Sequence, residues 1–103
     1  MSLNEAERRR TSEELRRNAE LTGLTHAAMA ADLGFTSDHL HGLLELSGSQ
    51  NPVDVWMVRD YLEQAVRDAG REPESFTVLT PQSRRMARMW FRLRPAPRHV
   101  FAA

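Results

Sequence analysis

Chemistry in this chain has to rest on four histidines, fourteen carboxylates, fourteen arginines and scattered hydroxyls, because neither cysteine nor lysine is present. The absence of cysteine removes thiolate nucleophiles, disulfide frames and thiolate metal cages together. His39 and His41 stand closest, yet residues two apart on a helix point to different sides, whereas chelation needs a one-turn spacing. No metal or cofactor site is read. His26 falls near a helix start and His99 near the C-terminus, and no local motif ties either to a carboxylate or a nucleophile. No catalytic set is read, and the chain is expected not to be an enzyme.

The arginines are the remaining candidates for chemistry. Net charge is zero, but every carboxylate lies within residues 1–74, whereas Arg84, Arg85, Arg88, Arg92, Arg94 and Arg98 follow with no acid among them. The chain is therefore an acidic body with a basic tail, able to meet phosphate or to fold back on itself. Arg8, Arg9 and Arg10 stand among Glu5, Glu7, Glu13 and Glu14, which predicts an ion-paired, solvated helix face. Exclusive use of arginine over lysine is attributed to a GC-rich coding genome and points to a bacterial source.

These residues must be positioned by a single domain, since 103 residues suffice for one modest core. No apolar run is long enough to span a bilayer, and the polar opening lacks a signal peptide's apolar stretch, so cytoplasmic residence is expected. Gly and Pro punctuation divides the first 70 residues into four helices. The first runs from about Asn4 to Thr22, with Ser2 or Asn4 as cap, a second capping box at Thr11 and Glu14, and Gly23 as its end. Thr25 caps the second, which ends at Leu33, where Gly34 supplies a positive φ. Thr36 or Ser37 caps the third, through about Leu46, and Gly48 closes it. Asn51 and Pro52 start the fourth, to about Asp68, with Val55, Trp56, Val58, Tyr61, Leu62, Ala65 and Val66 as the main core face. Residues 71–75 read as a linker and 76–80 as an extended piece. Thr80 and Pro81 open a fifth helix ending at Arg94, its apolar stripe formed by Met86, Met89, Trp90 and Leu93, before a loose Pro-Ala-Pro terminus. That stripe, with Phe76 and Leu79, is expected to dock on the first and fourth helices, in the same chain or a symmetric partner.

Ala30, Gly34, Leu40 and Leu43 carry the spacing of a helix-turn-helix unit: a small residue at the helix contact, glycine in the turn, and two leucines pinning the second helix across the first. A helix before the unit and the Asn-Pro-started helix after it resemble the order of lambda-repressor-like domains of the Xre and Cro class, over residues 4–68. A resemblance over nearly the whole chain rests on Met-Ser-Leu-Asn at the start, Leu-Thr-Gly-Leu-Thr at 21–25, Ala-Ala-Asp-Leu-Gly-Phe at 30–35, Asp-Val-Trp at 54–56, Arg-Asp-Tyr-Leu at 59–62, Phe-Thr-Val-Leu-Thr at 76–80 and Trp-Phe at 90–91. These segments are similar to a family of short bacterial proteins, domain of unknown function 2316. The resemblance implies a small helix-turn-helix-like protein and transfers no activity.

The expected fold is all-α: a lambda-repressor-like helix-turn-helix bundle of four helices (residues 1–70), with a C-terminal extension (71–103) carrying the fifth and packing on the same core. In the resembling domains the outward face of the third helix enters the DNA major groove. Here that face offers Thr36, Ser37, Asp38, His39, His41, Gly42 and Glu45, without the Arg, Lys, Asn or Gln that pair bidentately with purines. Residues 32–63 hold six acids against Arg59 alone, which opposes phosphate binding. Amide ends at Thr25 and Asn51 and the tail arginines act the other way. The candidate DNA contacts are accordingly Thr25, His26, Thr36, Ser37, His39, His41, Asn51, Arg84, Arg85 and Arg88. Two readings follow. One is a DNA-binding or transcription-associated protein. The other is a protein-interaction module, an antitoxin or regulator partner, that uses the fold without touching DNA. A homodimer through the C-terminal extension is compatible with both.

Overall fold

The computed structural model describes residues 3–101, so the alternative cap at Ser2 lies outside the described residues. Asn4 caps α1 (Glu5–Thr22) through a reciprocal box in which its side chain accepts from the Glu7 amide and the Glu7 carboxylate accepts from the Asn4 amide. The second box is not used. Thr11 and Glu14 lie buried in mid-helix, Thr11 donating to the Glu7 carbonyl and Glu14 accepting from Thr77. Gly23 closes α1 at φ +72°. Thr25 caps α2 (His26–Leu33), and Gly34, also at φ +72°, turns the chain into α3 (Ser37–Glu45), capped by Thr36. α3 is closed by Leu46 and not by Gly48: Leu46 takes a left-handed conformation at φ 51°, which L-residues normally avoid. Its burial, Arg8 donating to the Leu46 and Gly48 carbonyls, and Ser12 donating to the Leu44 carbonyl at 2.9 Å hold that conformation.

α4 (Pro52–Asp68) starts at the Asn51 cap and buries one long face, including Val55, Trp56, Val58, Tyr61 and Leu62. It packs on α1, and α3 contacts α1, α2 and α4, so the four helices share one core with Leu15, Met29, Leu40, Leu43 and Leu44 inside. Ala30 is buried and Gly34 is exposed in the turn. Within the α2–α3 pair Ala30, Leu40 and Leu43 are thus buried and Gly34 forms the turn at positive φ.

Directly after α4 the chain adds to this core without regular structure, before a last helix begins. Residues 76–80 form no strand: 77–79 are bends, Thr80 is extended, and the segment wraps back over α1 and α4. Asn18 and Glu74 exchange two 3.0 Å hydrogen bonds between side-chain amide and backbone, and Glu14 accepts from the Thr77 amide and hydroxyl. The buried Arg59 donates to the Leu79 carbonyl at 3.0 Å and lies 4.5 Å from the Phe76 ring centroid. Phe76 and Leu79 thereby enter the core.

Thr80 then caps α5 (Pro81–Trp90), which stops four residues short of Arg94 because Phe91 becomes extended, letting Leu93 and Ala96 turn back toward the core. α5 docks through Ala87 and not through the sequence-predicted stripe: Met86, Met89 and Trp90 are 59, 72 and 75% exposed. The segment after Pro95 is not loose. Arg98 makes a bidentate pair with Asp68 at 2.9 Å, and His99 meets Asp32 at 2.6 Å. Nor does the N-terminal arginine cluster form its expected ion pairs. Among the described residues α1 holds only the Arg17–Glu20 pair, while Arg8 serves the carbonyls at the end of α3.

Candidate nucleic-acid interface

Three helix starts and one helix face form a continuous surface. The rings of His26 and His41 stand 6.4 Å apart, which sets the start of α2 beside the outer face of α3. On the opposite flank His39 Nε2 lies 3.0 Å from Asp54 Oδ2, which sets the first turn of α4 against α3. Phe35 meets the His39 ring edge-on at 4.7 Å and fixes it from below. Thr25, Thr36 and Asn51 use their side chains to cap the three helices, accepting from the amides of Ala28, His39 and Val53. All three caps are exposed; the His26, Ala27, Ser37 and Asp38 amides at the starts of α2 and α3 make no hydrogen bond among the described residues, whereas at α4 Pro52 has no N–H and the Val53 and Asp54 amides both bond to Asn51.

The chemistry on this surface is mixed. Ser37, Asp38, His41 and Glu45 are exposed; His41 Nε2 is 3.5 Å from Glu45 Oε1, one turn on. Both α3 histidines therefore face carboxylates, contacts that the sequence reading did not assign: His41 with Glu45 four residues on, and His39 with Asp54 fifteen residues away. At the edge of the surface, Arg8, Arg9 and Arg16 with Ser12, Glu5 and Glu45 line an open hollow of about 350 Å³. Its two carboxylates offset much of the arginine charge. No group of three or more His, Asp or Glu able to hold a metal occurs among the described residues.

The tail arginines divide into two sets. Arg84 does not belong with the surface candidates: it pairs bidentately with Asp60, one contact being 2.8 Å, and its guanidinium stacks 4.8 Å from the Trp56 ring centroid. The hydrogen bonds to Asp60 are the main reason its pKa rises above the ordinary arginine value, so it stays charged and engaged. Arg85 and Arg88 are exposed on α5 and make no hydrogen bond or ion pair among the described residues.

A polar network that the sequence did not reveal ties the terminus to α2 and α4. Tyr61 donates to Asp32 at 2.5 Å, and the same carboxylate meets His99 at 2.6 Å. Burial pushes Asp32 upward, but the hydrogen bonds from Tyr61 and His99, with the His99 charge, outweigh it and hold the carboxyl below its ordinary range. Burial, then the hydrogen bond to Asp32 and its charge, push Tyr61 far above the usual phenol range. Three residues separated by 29 and 67 positions carry no sequence signal of this contact. At the C-terminal end of α4, Asp68 is likewise held below its ordinary value, chiefly by its hydrogen bonds to Arg98.

The chain is thus an all-α protein of five helices among its described residues, with no strand. It belongs to the family described as "uncharacterized protein conserved in bacteria", DUF2316, which matches residues 1–92. No curated protein and no solved structure matches it. No helix among the described residues is long and apolar enough to cross a membrane.

Proposed function

We propose that the protein is a non-enzymatic, helix-turn-helix DNA-binding protein of the lambda-repressor-like type, associated with transcription. The observation that carries this reading is the contiguity of the α2 start, the α3 outer face and the α4 start through His26–His41 and His39–Asp54. The first-turn amides at the starts of α2 and α3 suit phosphate contacts, which need no side-chain charge; at the α4 start only the exposed Asn51 side chain is available. The side chains on α3 are poor base readers, so sequence discrimination is modest and rests on Ser37, His39 and His41. Asp38, Glu45 and Asp54 weaken attraction to the backbone, so affinity is low and its salt dependence is set by the few arginines, such as Arg85 and Arg88, that reach phosphates.

The test is retention of a random double-stranded oligonucleotide pool at low and at physiological salt. Salt-sensitive retention that falls in Arg85→Ala with Arg88→Ala for all sequences, and in His39→Ala with His41→Ala for selected ones, is expected. No retention at low salt overturns the reading. A protein-interaction module, such as an antitoxin or regulator partner, is the second reading; the exposed Met86, Met89 and Trp90 favour it.

A further inference from the structure

We infer that the outer face of α5 is a homodimer interface in which two copies of the helix lie side by side and parallel. Met86, Met89 and Trp90 expose on the order of 450 Å² on one face of a ten-residue helix, a patch of the size that on a monomer commonly marks an interaction site. Ala87 and Arg84 turn toward the body, and the three large residues point away from it, so most of their surface is left uncovered, although Met86 and Trp90 border the groove formed with Leu3 and Val78. The exposed stripe supplies over half of the roughly 800 Å² that each partner buries in a stable dimer. The stems of Arg85 and Arg88 and the neighbouring Leu3 and Val78 can supply the rest.

Charge selects the occupant and the orientation. On one side of the stripe stand Arg85 and Arg88; on the other a groove of about 430 Å³ is lined by Leu3, Glu7, Val78, Ser83 and Trp90. A two-fold axis perpendicular to the helices would bring each arginine flank onto its own copy, which is repulsive. An axis along the helices brings the arginine flank of one copy onto the Glu7-lined groove of the other, twice over, and closes the assembly. A second copy thus supplies both the apolar cover and the acid that the tail arginines lack. Apolar burial carries the affinity and the charges set the register, since rim pairs contribute little.

The inference does not need DNA binding, but it draws on Arg85 and Arg88, which the proposed function also uses, so it is tested on the full chain by sedimentation equilibrium without nucleic acid. A dimer is expected, with a melting temperature that rises with protein concentration. Met89→Glu is expected to weaken association by about 30-fold or more. It should keep the helical circular dichroism of the wild type and melt at a temperature independent of concentration, because Met89 supports nothing within the chain. Arg85→Glu with Arg88→Glu is expected to weaken association, and adding Glu7→Arg to restore part of it. A wild-type protein that stays monomeric to about 0.5 mM, a concentration that exposes even weak dimers, overturns the inference and leaves the stripe to a different partner. A dimer that survives Met89→Glu overturns it as well, and a dimer unaffected by reversing Arg85 and Arg88 overturns the parallel arrangement.

Discussion

Leu79 is the most informative single position for how the C-terminal extension is held. It has no exposed surface, yet it lies in a stretch of bends, and its carbonyl accepts from Arg59 at 3.0 Å. In Leu79→Ala three carbons leave the core, a transfer loss of roughly 2.4 kcal/mol at about 0.8 kcal/mol per methylene. The Glu14, Asn18 and Arg59 contacts hold the surrounding backbone, which limits collapse into the void and adds a cavity cost. The expected loss is about 3 kcal/mol, inside the range of roughly 2–5 for such truncations. For a chain of this size each kcal/mol lowers the melting temperature by about 4–8 °C, so a fall of roughly 12–24 °C follows. Met89→Ala is the control: at 72% exposed it should change stability by no more than about 0.5 kcal/mol. Thermal melts followed by circular dichroism, at protein concentrations too low for self-association, measure both. Urea titration should give a lower midpoint for Leu79→Ala with an unchanged slope. A Leu79→Ala melt within about 4 °C of wild type would refute the reasoning, since Leu79 would then not be part of the core.

Gly34→Val should cost about 1 kcal/mol or more from backbone strain at φ +72°, with no steric term, because a Cβ there meets nothing within 4 Å; Gly34→Asn should retain most of the wild-type melting temperature. Arg84→Ala should lower stability by about 1–2 kcal/mol through loss of the Asp60 pair and the Trp56 stack, whereas Arg85→Ala with Arg88→Ala leaves the monomer's stability within about 0.5 kcal/mol of wild type. Truncation after Ser75, which removes Phe76, Leu79 and Ala87 from the core, should lower it further than neutralising Arg84, Arg85, Arg88 and Arg92 together. Asp32 has a folded-state pKa below its unfolded one, so its contribution is present above the unfolded carboxylate range and is lost as pH falls through the folded value. Melting temperatures of wild type and Asp32→Asn should therefore differ at neutral pH and converge below about pH 4, and parallel curves down to acid unfolding would count against the Asp32 network.

The helix starts and turns were legible because their signals are local. Asn4, Thr25, Thr36, Asn51 and Thr80 cap their helices through contacts two or three residues away. Gly34 satisfies a φ requirement within its own residue. The same locality misled at Thr11 and Glu14, which have the composition of a capping box but lie about two to three turns inside a helix already started at Asn4. Their polar atoms were needed elsewhere, Glu14 for the backbone at Thr77, sixty-three residues away. On the candidate interface, His41 lies one turn from Glu45, a pairing the sequence reading did not draw; His39 with Asp54, and Asp32 with Tyr61 and His99, depend on which helices the core brings together.

The fifth helix shows most sharply where periodicity stops being informative. Met86, Met89, Trp90 and Leu93 form an apolar stripe at helical spacing, and such a stripe states that one face avoids water without stating what covers it. The body offered two ways to hold this segment. It took the one in which Phe76 and Leu79 complete the core, Ala87 allows close approach, and Arg84 reaches Asp60 and Trp56. Arg84 can serve that clasp only when α5 turns its alanine inward, and the same rotation about the helix axis carries Met86, Met89 and Trp90 outward. Docking of the tail and exposure of its stripe are therefore one event. A variant that frees Arg84 from Asp60, such as Asp60→Asn, is expected to loosen α5 and weaken self-association along with stability, whereas Met89→Glu affects self-association alone. Loss of stability in Asp60→Asn with undiminished dimerisation would separate the two and remove the link between the clasp and the stripe.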